Sequence, residues 1–311
     1  MPGGPRRIFR ASPKMKPGYI FRMDPRPVLR LGHSPDPDDA FMWWPLLELG
    51  GGPARIASPR FRFEAVPADI EALNRRAKAG EDLLEISAFS CATYARIADR
   101  YALTACGSSV GDGYGPKVVA RSARSPESLR GAHLAIPGEG TTAFLVTSLM
   151  LGPGSFRATA VPFKEIPRRV AAGEFDAGIV IHEGQLTFAE EGLSLVEDLG
   201  RWWRAQTGLP LPLGANVVRR DLGDEAMIEL SHILRESIRF GLEHRADALA
   251  YAAEYGRGLD DDLNDRFVGM YVNERTLDYG EDGRRAVAEL LRRGVEAGLI
   301  DHEVPVDFVE D

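Results

Sequence analysis

Residues 107–122 read GSSVGDGYGPKVVARS, a segment rich in turn residues that continues as a strand-like run. Residues 210–222, PLPLGANVVRRDL, form a second strand-like segment farther along the chain. Strands alternate with helices on both sides of these segments, which predicts an α/β fold with mostly right-handed crossovers. We interpret the first segment as the passage of the chain into a second lobe and the second segment as its return. The predicted fold therefore has two α/β lobes.

These two passages divide the chain into a discontinuous first lobe, residues 28–117 plus 217–311, and a second lobe, residues 118–216. Residues 1–27 are basic and rich in Pro and Gly, which predicts a disordered tail or an overlong start. They lack the apolar run of about 7–15 residues of a secretory signal. No stretch of the sequence approaches the roughly 20 apolar residues of a membrane span. We therefore expect a cytoplasmic protein without a membrane partner.

The composition argues against several classes of function. A net charge of −8 is unfavourable for a nucleic-acid partner, because phosphate contacts need clustered Lys and Arg side chains. The 2 cysteines and the histidines lack the spacing of a metal site. The chain also lacks a P-loop and the GxGxxG and GxSxG motifs. The sequence thus predicts no metal and no cofactor, leaves acid–base chemistry or simple binding open, and carries no signal for an oligomeric state.

Open α/β sheets bind ligands beyond the carboxyl ends of their strands, and the first loop of this kind is GHSPDPDDAF, residues 32–41. Asp38 and Asp39 stand at the start of a predicted helix, where Asp is usually a cap, and we interpret them so. His33 and Ser34 are nearer the end of the strand. We expect these two side chains to be the ones that could face a ligand.

The second loop, PGEGTTAF at residues 137–144, places Thr141 and Thr142 at the start of a helix. The unpaired N–H groups and the dipole of a helix N-terminus favour a carboxylate there, although an ordinary Thr cap is an equally good interpretation. The third loop follows the apolar strand in IVIHEGQLTF, residues 179–188. His182 ends that strand, and an imidazole can accept a proton near neutral pH, although a lone histidine is more often structural.

Six segments resemble one known family, the 1,4-dihydroxy-6-naphthoate synthases of futalosine-pathway menaquinone biosynthesis. They run in order from about residue 29 to residue 223: LGHSPDPDDAFMWW, ISAFSCATYARIADRYAL, GDGYGPKVVAR, GEGTTAFL, FDAGIVIHEGQLTF and DLGRWWRAQTGLPLPLGANVVRRDLG. The resemblance implies a periplasmic-binding-protein type II fold with its active site between the lobes. It also implies a lyase that converts cyclic dehypoxanthine futalosine to 1,4-dihydroxy-6-naphthoate without a metal or organic cofactor.

The same resemblance implies roles for individual residues. His182 falls on the family's proton acceptor, while the substrate contacts fall on Ala88, Phe89 and Ser90 in one segment and on Thr141 and Thr142 in another. We expect His182 to abstract a proton next to a carbonyl group, with aromatisation of the naphthalene ring driving the reaction. The substrate would be a small-molecule carboxylate.

Two departures from the family pattern predict a more acidic cleft. The loop more familiar in the family reads SPCPND, so Asp36 and Asp38 replace Cys and Asn, and Ala88 stands where some relatives have lysine. Two other functions remain as alternatives. A non-catalytic solute-binding protein for small anions uses the same lobes, and chorismate dehydratase shares the fold, although the histidine of IHEGQLTF favours the synthase.

Overall fold

The computed structural model describes residues 24–256 and 259–310. Most of the predicted tail, residues 1–23, lies outside the described residues. Within the remaining four residues of that segment, the Arg26 guanidinium donates to the carbonyl oxygen of Ser58 at 2.6 Å. This part of the predicted tail is therefore hydrogen-bonded to the first lobe.

Seven strands form the first sheet, in the order β12-β4-β11-β3-β1-β2, with β5 paired to β11. Strand β1 is parallel to β2 and β3, and β12 is parallel to β4, whereas β11 is antiparallel to β3, β4 and β5. Their bounds are β1 Val28–His33, β2 Arg62–Pro67, β3 Ile86–Ser90, β4 Tyr101–Thr104, β5 Ser109–Gly111, β11 Leu211–Arg219 and β12 Phe308–Val309.

Five strands form the second sheet, in the order β10-β6-β9-β7-β8. Strand β7 is parallel to β8 and β9, and β6 is antiparallel to β9 and β10. The strands are β6 Lys117–Ala120, β7 His133–Ile136, β8 Arg157–Ala160, β9 Ala177–Val180 and β10 Ser194–Asp198. The residues of β9 are all buried, as expected for a strand whose faces are both covered.

Helices pack on both sheets. In the first lobe they are α1 Pro37–Trp43, α2 Ile70–Ala79, α7 Asp224–Glu243, α8 Arg245–Ala252, α9 Asp261–Tyr271, α10 Glu274–Leu277 and α11 Gly280–Glu296. In the second lobe they are α3 Thr142–Leu151, α4 Ile166–Ala171, α5 Gly184–Thr187 and α6 Leu199–Thr207. Helix α1 is buried along its whole length because it packs against α7, α8 and α9. The loop that precedes α1 is thereby held close to the core.

The chain passes between the two sheets twice. It leaves the first sheet after β5, enters the second sheet at β6, and returns through β11. The predicted boundary at residue 217 lies within β11, which already pairs with the first sheet from Leu211. Gly111 and Gly200 pack tightly at the first passage, because a Cβ on either would overlap the carbonyl oxygen of Tyr114. Only glycine permits so close a backbone approach.

Candidate functional site

A cavity of about 700 Å³, including the solvent-filled space at its mouth, lies between the two lobes. Its walls come from the loop after β1, from β3 and β11 of the first sheet, and from the residues that follow β7 and β9 of the second. All seven residues that the sequence singles out as catalytic or substrate-binding line this cavity: Ser34, Ala88, Phe89, Ser90, Thr141, Thr142 and His182. Residues that are far apart in the sequence therefore lie together at one site. Its carboxyl, hydroxyl and imidazole groups are surrounded by apolar surface.

His182 lies two residues beyond the end of β9 and has a left-handed backbone, with φ of 51°. This conformation is uncommon for residues with a side chain, and it turns the imidazole away from the direction of the strand. The ring packs edge-to-face on Phe163, with the two centroids 4.7 Å apart. Nδ1 lies 2.5 Å from Oδ2 of Asp36, which belongs to the loop after β1. Nε2 is buried and has no hydrogen-bond partner among the described residues, so a ligand could pair with it.

The acids of the β1–α1 loop set the electrostatics around this imidazole. Burial alone would lower the pKa of His182, but the Asp36 carboxylate, its hydrogen bond and the charge on Asp38 outweigh burial and raise that pKa to about 9. Burial, reinforced by the charge on Asp36, raises the pKa of Asp38 to about 7. The same two causes raise the pKa of Asp39 well above its usual value. Asp38 and Asp39 therefore keep their protons to higher pH than ordinary aspartates.

The interpretation of Asp38 and Asp39 as helix caps is wrong. Pro37 occupies the first position of α1, so the cap position falls on Asp36, and Asp38 and Asp39 lie inside the first turn. Asp39 instead accepts a hydrogen bond from the backbone N–H of Ser34, at 2.6 Å. These side chains are 6 % exposed and line the cavity, so they belong to the site and not to the helix end.

Of the two polar residues at the end of β1, only Ser34 lines the cavity. His33 is 1 % exposed and lies beneath the loop, where Nδ1 is 2.8 Å from the Ser34 carbonyl oxygen and the ring packs edge-to-face on Tyr255. Burial lowers the pKa of His33. The expectation that His33 faces a ligand is therefore wrong. His33 instead packs against the β1–α1 loop and helps to hold it in place.

The hydroxyls of Thr141 and Thr142 are both engaged with the protein. Thr141 caps α3, since its Oγ1 accepts from the N–H of Phe144 at 3.2 Å. The hydroxyl of Thr142 links the two lobes. Its Oγ1 accepts a hydrogen bond from the N–H of Ala92 at 3.2 Å and donates one to the carbonyl oxygen of Leu213 at 2.7 Å. The N–H groups of a helix's first turn have no acceptor within the helix. At the start of α3 the N–H of Phe144 donates to Thr141, so the backbone N–H groups of Thr142 and Ala143 are left for a ligand.

The substrate-contacting segment implied by the resemblance is the last part of β3. Ala88 pairs with Asn216 and Phe89 with Ala215 across the sheet. Oγ of Ser90 accepts from the Asn74 amide at 3.0 Å, and the backbone N–H of Ser90 donates to the same amide. This buried segment is therefore fixed before any ligand arrives.

Sequence reasoning missed Gln185 and Tyr271, which both line the cavity. With its nitrogen toward the Gly115 carbonyl oxygen, 2.6 Å away, the Gln185 amide accepts from the Tyr271 hydroxyl at 2.9 Å and from the N–H of His182 at 3.3 Å. Gln185 stands in the same motif as His182, so its position in the sequence offered a signal. Tyr271 lies on α9, far from every motif, and no sequence pattern points to it.

We expect Gln185→Leu to lower the free energy of unfolding by about 1–3 kcal/mol, because it leaves buried partners on Gly115 and His182 unsatisfied. Urea unfolding at pH 7 measures this. Gln206→Leu is the matched control, since Gln206 is exposed on α6, and its effect should stay within about 0.5 kcal/mol. Equal effects of the two substitutions would contradict a linking role for Gln185.

The family model described as menaquinone biosynthesis matches residues 29–296. The chain belongs to the menaquinone-biosynthesis family. A curated relative from Thermus thermophilus is 41% identical over 272 residues, which are 88% of this chain and 96% of the relative. Another, from Streptomyces coelicolor, is 37% identical over 279 residues, 88% of this chain and 95% of the relative. Both relatives are named 1,4-dihydroxy-6-naphtoate synthase.

Solved structures are similar to this chain in fold. A crystal structure of an Archaeoglobus fulgidus protein is 42% identical, with a TM-score of 0.80 over 88% of this chain and 98% of that one. The alkanesulfonate-binding protein of Xanthomonas axonopodis has a TM-score of 0.64 at 14% identity, over 90% of this chain and 96% of its own. This second likeness shows the fold alone. The family member described here has the two-lobed periplasmic-binding-protein fold.

In residues 24–256 and 259–310, no helix is both long and apolar enough to cross a membrane. Within the same ranges, His, Cys, Asp and Glu do not come together in a group of three or more that could hold a metal ion.

Proposed function

We propose that this protein is a 1,4-dihydroxy-6-naphthoate synthase, a lyase that acts on cyclic dehypoxanthine futalosine with His182 as its general base. The observation that carries the proposal is the buried Nε2 of His182, which has no partner among the described residues and lies on the wall of the cavity between the lobes. Relatives of the same family bear the name of this synthase. We also propose that the enzyme acts in the cytoplasm.

The chemistry begins with the neutral form of His182. Its Nε2 takes a proton from a carbon next to a carbonyl group of the substrate. The electron pair left behind forms a C=C bond as the bond to the sugar-derived fragment breaks, and the fragment leaves with the proton that His182 took up. The naphthalene ring then becomes aromatic, which makes the overall conversion favourable. General-base assistance of this kind contributes about 10²–10⁴-fold to the rate.

The substrate carboxylate is held at the start of α3 in this proposal. The hydroxyls of Thr141 and Thr142 are already engaged, so the donors are the backbone N–H groups of Thr142 and Ala143, assisted by the helix dipole. Ala88, Phe89 and Ser90 form the opposite wall, and Ser34 closes the site beside Asp39.

Asp38 is one of the two acids predicted to make the cleft more acidic, and burial changes its charge in this environment. The raised pKa values of Asp38 and Asp39 keep both side chains neutral over a wider pH range than usual. A neutral carboxyl does not repel an anionic substrate. Below about pH 7, where Asp38 is neutral, the acidic loop is therefore compatible with a small-molecule carboxylate. A nucleic acid remains an unsuitable partner for a chain of net charge −8.

The test is a direct assay of the purified protein with cyclic dehypoxanthine futalosine, in which naphthoate formation is followed by its absorbance. We expect naphthoate to form in proportion to the protein added. Unchanged substrate that remains bound to the protein would instead indicate a solute-binding protein for small anions. Consumption of chorismate in a parallel reaction would indicate chorismate dehydratase.

A further inference from the structure

We propose that Asp36 is a positioning residue for His182 and that the general base is a pair of residues assembled across the cleft. This inference rests on the proposed function and deepens it. Asp36 comes from the loop after β1 of the first sheet, whereas His182 follows β9 of the second. The 2.5 Å contact between Oδ2 and Nδ1 therefore joins the two lobes inside the cavity.

Both partners are held in place by their own surroundings. Asp36 stands between Pro35 and Pro37, whose rings restrict the backbone, and its side chain is 2 % exposed. Pro37 begins α1, which is buried throughout. On the other side, the N–H of His182 donates to Gln185, and its ring packs on Phe163. Neither side chain can move far without disturbing packed neighbours, so the pair has one geometry.

The pairing decides which nitrogen of the imidazole can act as a base. A carboxylate only accepts hydrogen bonds, so Asp36 requires the proton of neutral His182 to be on Nδ1. The lone pair then lies on Nε2, the nitrogen without a partner among the described residues. After proton transfer, the carboxylate stabilises the imidazolium that forms. Asp36 thus sets the tautomer, the orientation and the basicity of His182.

The titratable groups around His182 are few, and most are on the opposite lobe. Asp36 and Asp38 face it from the β1–α1 loop and α1, with Asp39 behind them, and Glu183 is next to it in the chain. The pKa of His182 is raised to about 9 although burial alone would lower it, and Asp36 makes the largest contribution to the rise. Because the base must be neutral, kcat/KM should fall as the pH drops below this pKa.

The test compares Asp36→Asn with the wild type over pH 6 to 10. We expect kcat to fall by about 10²–10⁴-fold with little change in KM, because asparagine can favour the wrong tautomer. The midpoint of the acidic limb of kcat/KM should move down by at least about one pH unit, since burial then dominates the pKa of His182. Asp36→Glu should recover part of kcat. Glu48→Gln, an exposed acid of the same lobe paired with Arg62, should leave the profile unchanged.

A second measurement separates this inference from the proposed function. An NMR titration of the histidine rings without substrate, with the His182 signals assigned from the His182→Asn spectrum, should show a lower pKa in Asp36→Asn than in the wild type. Wild-type kcat and an unmoved midpoint in Asp36→Asn, with His182→Asn inactive, would overturn the role of Asp36 and leave the function standing. A wild-type protein that forms no naphthoate would overturn the function, while the NMR titration would still test the pair.

Discussion

His182→Asn is expected to lower kcat by about 10²–10⁴-fold while the protein remains folded. Asparagine cannot accept a proton at neutral pH, so Nε2 and its basicity are lost. It is also among the residues that best tolerate the left-handed backbone, with φ of 51°, which His182 adopts. Alanine would combine the loss of the base with backbone strain and a void beside Phe163. Initial rates with cyclic dehypoxanthine futalosine measure the effect, and circular dichroism with thermal unfolding checks the fold.

His302→Asn is the matched control for this experiment. His302 is exposed near the end of the described chain and does not line the cavity, so the same chemical change there should leave kcat unaltered. If the His182→Asn variant retained kcat within about threefold of the wild type, general-base assistance of the usual size could not be assigned to His182.

The sequence predicts which loops form the site, because the ligand-binding edge of an open α/β sheet is known in advance. Ligands bind beyond the carboxyl ends of strands in open α/β sheets, and Ser34, Thr141 and His182 all follow strands in the sequence. The turn-rich and strand-like segments at residues 107–122 and 210–222 likewise predict two passages between lobes. What these patterns predict is position along the chain.

The partners of these side chains could not be predicted, because they depend on contacts between distant segments. Asp36 pairs with His182 only after the two lobes have folded and packed together. Tyr271 contacts Gln185 from α9, a helix that carries no sequence motif. The interpretation of Asp38 and Asp39 as caps failed for a related reason. Local frequencies favour capping, but Pro37 starts the helix one residue earlier and burial of α1 brings both acids to the cavity.

Asp38→Asn is expected to stabilise the protein at alkaline pH. Burial raises the pKa of Asp38 to about 7 in the folded protein, against an ordinary value of 3.8 in the unfolded chain. The folded state therefore holds this proton more tightly, so the stability that Asp38 contributes is complete below about pH 4 and is lost as the pH rises through 7. One unit of pKa difference corresponds to about 1.4 kcal/mol. We expect the variant to exceed the wild type by about 2–4 kcal/mol at pH 8 and to match it near pH 4.

Urea unfolding of both proteins at several pH values between 4 and 8 measures this difference. Asp82→Asn is the control: Asp82 is exposed, and its hydrogen bond with Arg30 lowers its pKa, so its stabilising effect is complete above the ordinary value of 3.8 and is lost only at lower pH. Between pH 4 and 8 the difference in stability between this variant and the wild type should therefore stay constant. Asp82 also has a left-handed backbone, which asparagine accepts. Parallel pH profiles of the Asp38→Asn variant and the wild type would mean that Asp38 ionises as easily in the folded state as in the unfolded one. If Asp38→Asn both stabilises the protein and lowers the pKa of His182, then Asp38 raises that pKa in the wild type and makes the fold less stable.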